Sequence, residues 1–181
     1  MADEILLISE DRVKETVDVS DNVAGKYILT SIREAQEIYF KRIIGTELLT
    51  KCKELVAAGV IRNPDNAAYK ALIDESQLYL AYMTAVQLHH KVAYKIANAG
   101  IVKTPDDKVI NATDDERDRQ QQYYQSMADA CAYELQGWIL ERYRQYPELT
   151  ENKCHEIKAN LYSAATCGLW LGGARGRRVR G

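Results

Sequence analysis

Leu78-Tyr79-Leu80-Ala81-Tyr82-Met83-Thr84-Ala85-Val86-Gln87-Leu88-His89-His90-Lys91-Val92-Ala93-Tyr94-Lys95-Ile96 is the most apolar stretch of the chain. Leu78, Ala81, Ala85, Leu88, Val92 and Ile96 recur at helical spacing as one stripe, and Tyr79, Met83, Val86 and Tyr94 form a second. Two stripes imply burial on most sides, so this segment is expected to be the central helix of an all-α bundle. It should follow a loop over 60–66, break near Asp74 and end at 98–100, where Gly100 can adopt the left-handed conformation past a helix end.

On the N-terminal side, Ser9 followed by Glu10 and Asp11 reads as the capped start of a short helix running to about Thr16. Ser20 or Asp21 is a candidate cap for a second helix that runs to about Ile44, with Gly45 just beyond. Ile28, Ile32, Ala35 and Tyr39 form its apolar face. A third helix over 46–58 should bury Leu48, Leu49, Cys52, Leu55 and Val56 and stop at Gly59.

On the C-terminal side, two short apolar runs around Pro105-Asp106-Asp107 suggest a small β-hairpin near 101–110. Thr113-Asp114-Asp115-Glu116 is a capping box and the clearest helix start in the chain. The helix it opens should reach about Tyr146, roughly 33 residues and about 50 Å. Tyr124, Ala128, Cys131, Leu135, Trp138 and Arg142 form its apolar stripe, and its polar opening from Arg117 to Gln122 should project from the core. After Pro147 the helical period fades, and 160–171 reads as extended.

The composition narrows the function classes. A chain of 181 residues suits one domain with a core of its own. The formal charge is −2, but without Arg175, Arg177, Arg178 and Arg180 the remaining 20 basic residues face 26 acidic ones, leaving −6. An acidic body is a poor match for nucleic acid. Four cysteines without a CxxC motif read as free thiols in a reducing compartment, and nothing reads as an export signal or a membrane span. Twelve tyrosines against one phenylalanine suit half-buried positions, whether at the rim of a core or at a subunit interface.

No sequence motif supports catalysis. His89 and His90 are neighbours on a helix and diverge by about 100°, so they cannot chelate one metal together. Cys154, His155 and Cys167 match no zinc spacing and lack a fourth ligand. Asp106, Asp107, Asp114 and Asp115 have the common structural use of acids at a turn and at a helix start. No nucleophile elbow, phosphate-binding loop, dinucleotide fingerprint or metalloprotease motif occurs. The residues leave catalysis unsupported without excluding it, and neither a cofactor nor a metal is expected.

The segment from Leu169 to Gly181 stands apart. Leu169, Trp170 and Leu171 lead into a run in which Gly172, Gly173 and Gly176 disfavour helix and four arginines concentrate positive charge. Arginine with glycine suits phosphate binding, which on duplex DNA would give a salt slope of about −3.6 for four contacts. It equally suits an arm docking into an acidic groove on protein, with Trp170 and the arginines as hot spots.

The stretches Ile8-Ser9-Glu10-Asp11-Arg12-Val13-Lys14, Ile32-Arg33-Glu34-Ala35-Gln36-Glu37 and Tyr94-Lys95-Ile96-Ala97-Asn98-Ala99-Gly100 form a recognisable layout. Tyr146-Pro147-Glu148 and the closing Leu169-Trp170-Leu171-Gly172-Gly173 with its arginines complete it. Over most of the chain this layout resembles the small head-to-tail connector or ring proteins of tailed bacteriophages, especially those of crAss-like phages.

The resemblance implies a helical connector domain over 1–152 and an extended arm with a basic tail over 153–181. Leu169, Trp170, Leu171, Arg175, Arg177, Arg178 and Arg180 would be its docking residues. It further implies a structural protein without enzymatic activity that forms a homo-oligomeric ring, commonly of twelve copies, beneath the portal protein. That ring would extend the channel for packaged DNA and meet the next ring or a tail protein. The site of action would be the neck of the virion, reached from the host cytoplasm during assembly, with no membrane involved. The competing expectation is a nucleic-acid-binding accessory protein acting through the Arg/Gly tail.

Overall fold

The computed structural model describes residues 5–17, 19, 23–97, 100–103 and 114–150. These residues form a predominantly helical bundle, as the two apolar stripes predict. Helix α1 (Glu10–Val17) is followed by α2 (Gly25–Glu34), a π-helical segment (Ala35–Phe40), α3 (Lys41–Ile44) and α4 (Thr46–Ala57). A 3₁₀ turn (Pro64–Asn66) leads into the long α5 (Ala67–Ala93). A two-stranded hairpin of β1 (Tyr94–Ala97) and β2 (Gly100–Lys103) follows. Then come α6 (Asp114–Arg142), a 3₁₀ turn (Tyr143–Gln145) and α7 (Pro147–Thr150).

Helix α5 is the centre: α1, α2, the π-helical segment and α6 all pack on it. Leu72, Leu80 and Ala81 are fully enclosed, and Tyr79, Met83, Ala85, Val86 and Leu88 are nearly so. The stripe departs from expectation at its ends, where Leu78 and Val92 are exposed. Asp74 causes no break; it lies on the solvent side and pairs with Lys70 one turn earlier.

The helix also stops earlier than expected, at Ala93, and the hairpin lies N-terminal to its expected position over 101–110. Tyr94 pairs with Lys103 and Ile96 with Ile101 in an antiparallel register. Tyr94, Ile96, Ile101 and Val102 are β-formers, which suits a short ladder. Residues 104–113, including Pro105-Asp106-Asp107 and the cap residue Thr113, lie outside the described residues.

The N-terminal helices follow their local signals closely. Ser9 Oγ accepts a hydrogen bond from the Arg12 amide at 3.2 Å, satisfying one of the first-turn donors of α1. The second helix begins at Gly25, later than Ser20 or Asp21 would have set it, with Ala24 before it and no side-chain cap. It continues through the π-helical segment to Ile44, where Gly45 at φ 83°, ψ 163° breaks the chain direction before α4. Helix α4 ends in a Schellman arrangement: the Val60 amide donates to Leu55 O at 3.1 Å and the Gly59 amide to Val56 O at 3.0 Å. Gly59 takes the left-handed φ of 69° that this closure requires.

The π-helical segment changes which residues face the core. Its wider turn brings Gln36 and Phe40 fully inside, whereas Tyr39 is only partly buried and Ile38 is exposed. Gln36 turns its amide to the N-terminal strand of chain: Oε1 accepts from Leu7 N at 2.9 Å and Nε2 donates to Ile5 O at 3.0 Å. This pins residues 5–7 across the bundle in front of α1 and satisfies a buried polar side chain completely.

Candidate functional site

The anticipated docking residues Leu169, Trp170, Leu171, Arg175, Arg177, Arg178 and Arg180 lie outside the described residues, as do Cys154, His155 and Cys167. The described residues supply the body's surface features that such a segment, or a partner, would meet.

Helix α6 positions the first of these. Its inner stripe is Ala128, Cys131, Leu135 and Ile139, all buried against α5, with Tyr124 and Trp138 half-buried beside them. The polar opening stays largely in solvent, as the sequence suggests. The outer face is less ordinary. Tyr133 is 77% exposed, and Leu140, two turns on at the same angular position, is 47% exposed. Tyr123 and Tyr143 are exposed nearer the two ends of the helical run. Leu29 on α2 and Ile38 on the π-helical segment are exposed singly, nine residues apart on elements that also pack on α5.

A third feature is a groove of about 230 Å³ along the seam of α5 and α6, lined by Asp74, Glu75, Leu78, Cys131, Glu134 and Leu135. Leu135 and Cys131 form its apolar floor, and Leu78 remains 46% exposed at its edge. Tyr82, one turn beyond Leu78, continues the apolar line; burial, together with nearby Tyr123 and Cys131, pushes its hydroxyl pKa up. Burial, reinforced by the Glu134 carboxylate, raises the Cys131 thiol, which therefore stays protonated. Among the described residues Asp74 pairs with Lys70, and no cation lies within ion-pair distance of Glu75 or Glu134.

At the start of α5, about two turns before the groove, a part-buried polar cluster holds the C-terminal helical turn. The Tyr69 hydroxyl donates to the Glu148 carboxylate at 2.9 Å and 3.2 Å, and the Tyr146 hydroxyl donates to Ala68 O at 3.0 Å. The two rings meet edge to face at 5.8 Å. Cys52 lies beside them, its pKa pushed up to about 12 by burial and by the charge of Glu148. With Tyr146 and Cys52 buried and Tyr69 and Glu148 partly so, this cluster ties α7 to α4 and α5, a structural arrangement.

Of the histidines, His90 approaches Gln121 of α6 at 2.7 Å, while burial and the neighbouring His90 lower the pKa of His89. They are not brought to a common ligand point, and among the described residues no group of three or more His, Cys, Asp or Glu side chains is placed to hold a metal. Among the described residues no helix is long and apolar enough to cross a membrane. Sequence reasoning missed the acid-rimmed groove and the buried Gln36. The groove left no signal, because Leu78 belongs to the same stripe as the enclosed Ala81 and Ala85. Gln36 left a weak one, an amide on the core side of an amphipathic pattern.

Residues 37–158 match a family described as "Family of unknown function (DUF6712)", which spans well over half of the chain, and the chain belongs to that family. No curated protein and no solved structure matches it.

Proposed function

We propose that this member of the family is a ring-forming head-to-tail connector of a tailed-phage virion, a structural protein that sits beneath the portal and extends the DNA channel. The observation that carries the reading is the exposed apolar surface of Tyr133 with Leu140 on α6, together with single exposed apolar side chains elsewhere on the body, Leu29 on α2 and Ile38 on the π-helical segment. A closed ring needs heterologous contacts, in which one patch of a subunit meets a different patch of the next. Apolar side chains exposed on different elements of one small bundle supply parts for such a contact. The acidic body supports it further, since a negatively charged wall lets DNA slide without adhering. The basic segment at 169–180 then serves as an arm to the portal or another neighbour, with Leu169, Trp170 and Leu171 as anchors and the arginines meeting carboxylates.

Mixing the full chain with purified portal and imaging the product tests this. A second ring stacked on the portal is expected. Introducing charge on one patch, Tyr133→Lys with Leu140→Lys, should abolish that ring while leaving the helical circular dichroism of the free chain intact. A portal that stays bare with the unaltered chain, or a ring indifferent to the double substitution, refutes the reading.

A further inference from the structure

We infer that the groove between α5 and α6 is a docking site for the chain's own segment 169–180, which folds back onto the body of the free protein. The groove offers one exposed apolar contact, Leu78 at its edge, beside a floor of Cys131 and Leu135 that is itself buried against α5. Trp170, flanked by Leu169 and Leu171, is the apolar side chain of the segment that would meet Leu78 there. The charges match as well. Glu75 and Glu134 rim the groove without an ion pair among the described residues, Asp74 adds a third carboxylate, and the triplet is followed within ten residues by Arg175, Arg177, Arg178 and Arg180.

The connecting length is sufficient. Helix α7 is held at the start of α5 by Tyr69 and Tyr146, so the chain leaves the described body at Thr150 close to Ala68. The groove begins with Asp74, about two turns further along the same helix, or about 10 Å at 1.5 Å per residue. Residues 151–168 can span about 60 Å when extended, several times that distance. A tether of this kind raises the effective concentration of the segment at the groove to about the millimolar range, so even a weak contact is occupied within one chain. The inference stands whether or not the protein is a connector; if it is, a portal must out-compete the groove for the arm.

Trp170 makes the inference testable, because the chain has two tryptophans and Trp138 can be replaced. In a Trp138→Phe background of the full chain, Trp170 emission is expected to be blue-shifted. Its acrylamide quenching should be at least about three-fold weaker than in a synthetic peptide of residues 165–181. Reversing the rim with Glu75→Lys and Glu134→Lys should raise quenching toward the peptide's value. Reversing Arg175, Arg177, Arg178 and Arg180 to Glu should do the same, and combining both sets should restore protection, a charge swap that controls for damage to the fold. Quenching equal to that of the peptide overturns the inference. So does protection that the rim substitutions leave unchanged, or protection that appears only as protein concentration rises, which would place the segment on another copy.

Discussion

Gln36 is the residue on which the N-terminal part of the bundle turns. Its carboxamide meets both a buried amide and a carbonyl of the chain at 5–7, so replacing it leaves Leu7 N–H without a partner. Gln36→Ala should destabilise the protein by about 1–3 kcal/mol, the cost of an unmet buried donor plus a small cavity. Urea unfolding and faster hydrogen exchange at the Leu7 amide would register it. The buried hydroxyl and thiol around Tyr146 give a second residue-level expectation. Tyr146 is raised by burial from 10.0 to about 12 and Cys52 from 9.0 to about 12, so the folded state holds protons that the unfolded chain releases. The stability from these groups is complete below about pH 9 and falls as pH rises toward about 12. Urea midpoints between pH 8 and pH 11 should decline accordingly, and Tyr146→Phe should flatten that decline.

At the scale of elements, two glycines set where helices stop, and they differ in what a side chain would cost. Gly59 occupies the left-handed region at φ 69°, whereas Gly45 at φ 83°, ψ 163° lies in a region open essentially to glycine alone. Gly45→Ala should therefore cost more than Gly59→Ala, about 1–3 kcal/mol against about 1 kcal/mol, in paired thermal unfolding measurements. Both stops were legible as Gly-terminated apolar periods. So were the Ser9 cap, most of the inward stripe of α6 and the central place of α5, because each rests on local chemistry or simple 3.6-residue spacing; the buried Ile139 lies outside the expected stripe, and α6 ends at Arg142, short of the expected Tyr146. The end of α5 was not, since Val92 and Ile96 continue the helical stripe while Tyr94, Ile96 and Ile101 also suit a ladder. Pairing with a segment beyond the connection decides between them. The π-helical turn was equally hidden: nothing in Ala35-Gln36-Glu37-Ile38 announces the extra residue that carries Gln36 inward.

For the molecule as a whole, the division of labour between body and basic segment leads to a deletion experiment. Removing 172–181 takes away four arginines and leaves every residue of the described core in place, so the melting temperature should change by no more than a degree or two while incorporation into portal complexes is lost. Unchanged assembly after that deletion would remove the arm from the proposed mechanism. The sequence by itself determined the all-α class, the capped and glycine-ended helices, the acidic body and the basic segment, because periodicity, capping and net charge are written in near neighbours and composition. Packing alone decided that Leu78 stays outside, although it belongs to the same apolar stripe as the enclosed Ala81 and Ala85. Its exposure, and the acid-rimmed groove, exist only because α5 and α6 meet along one particular face.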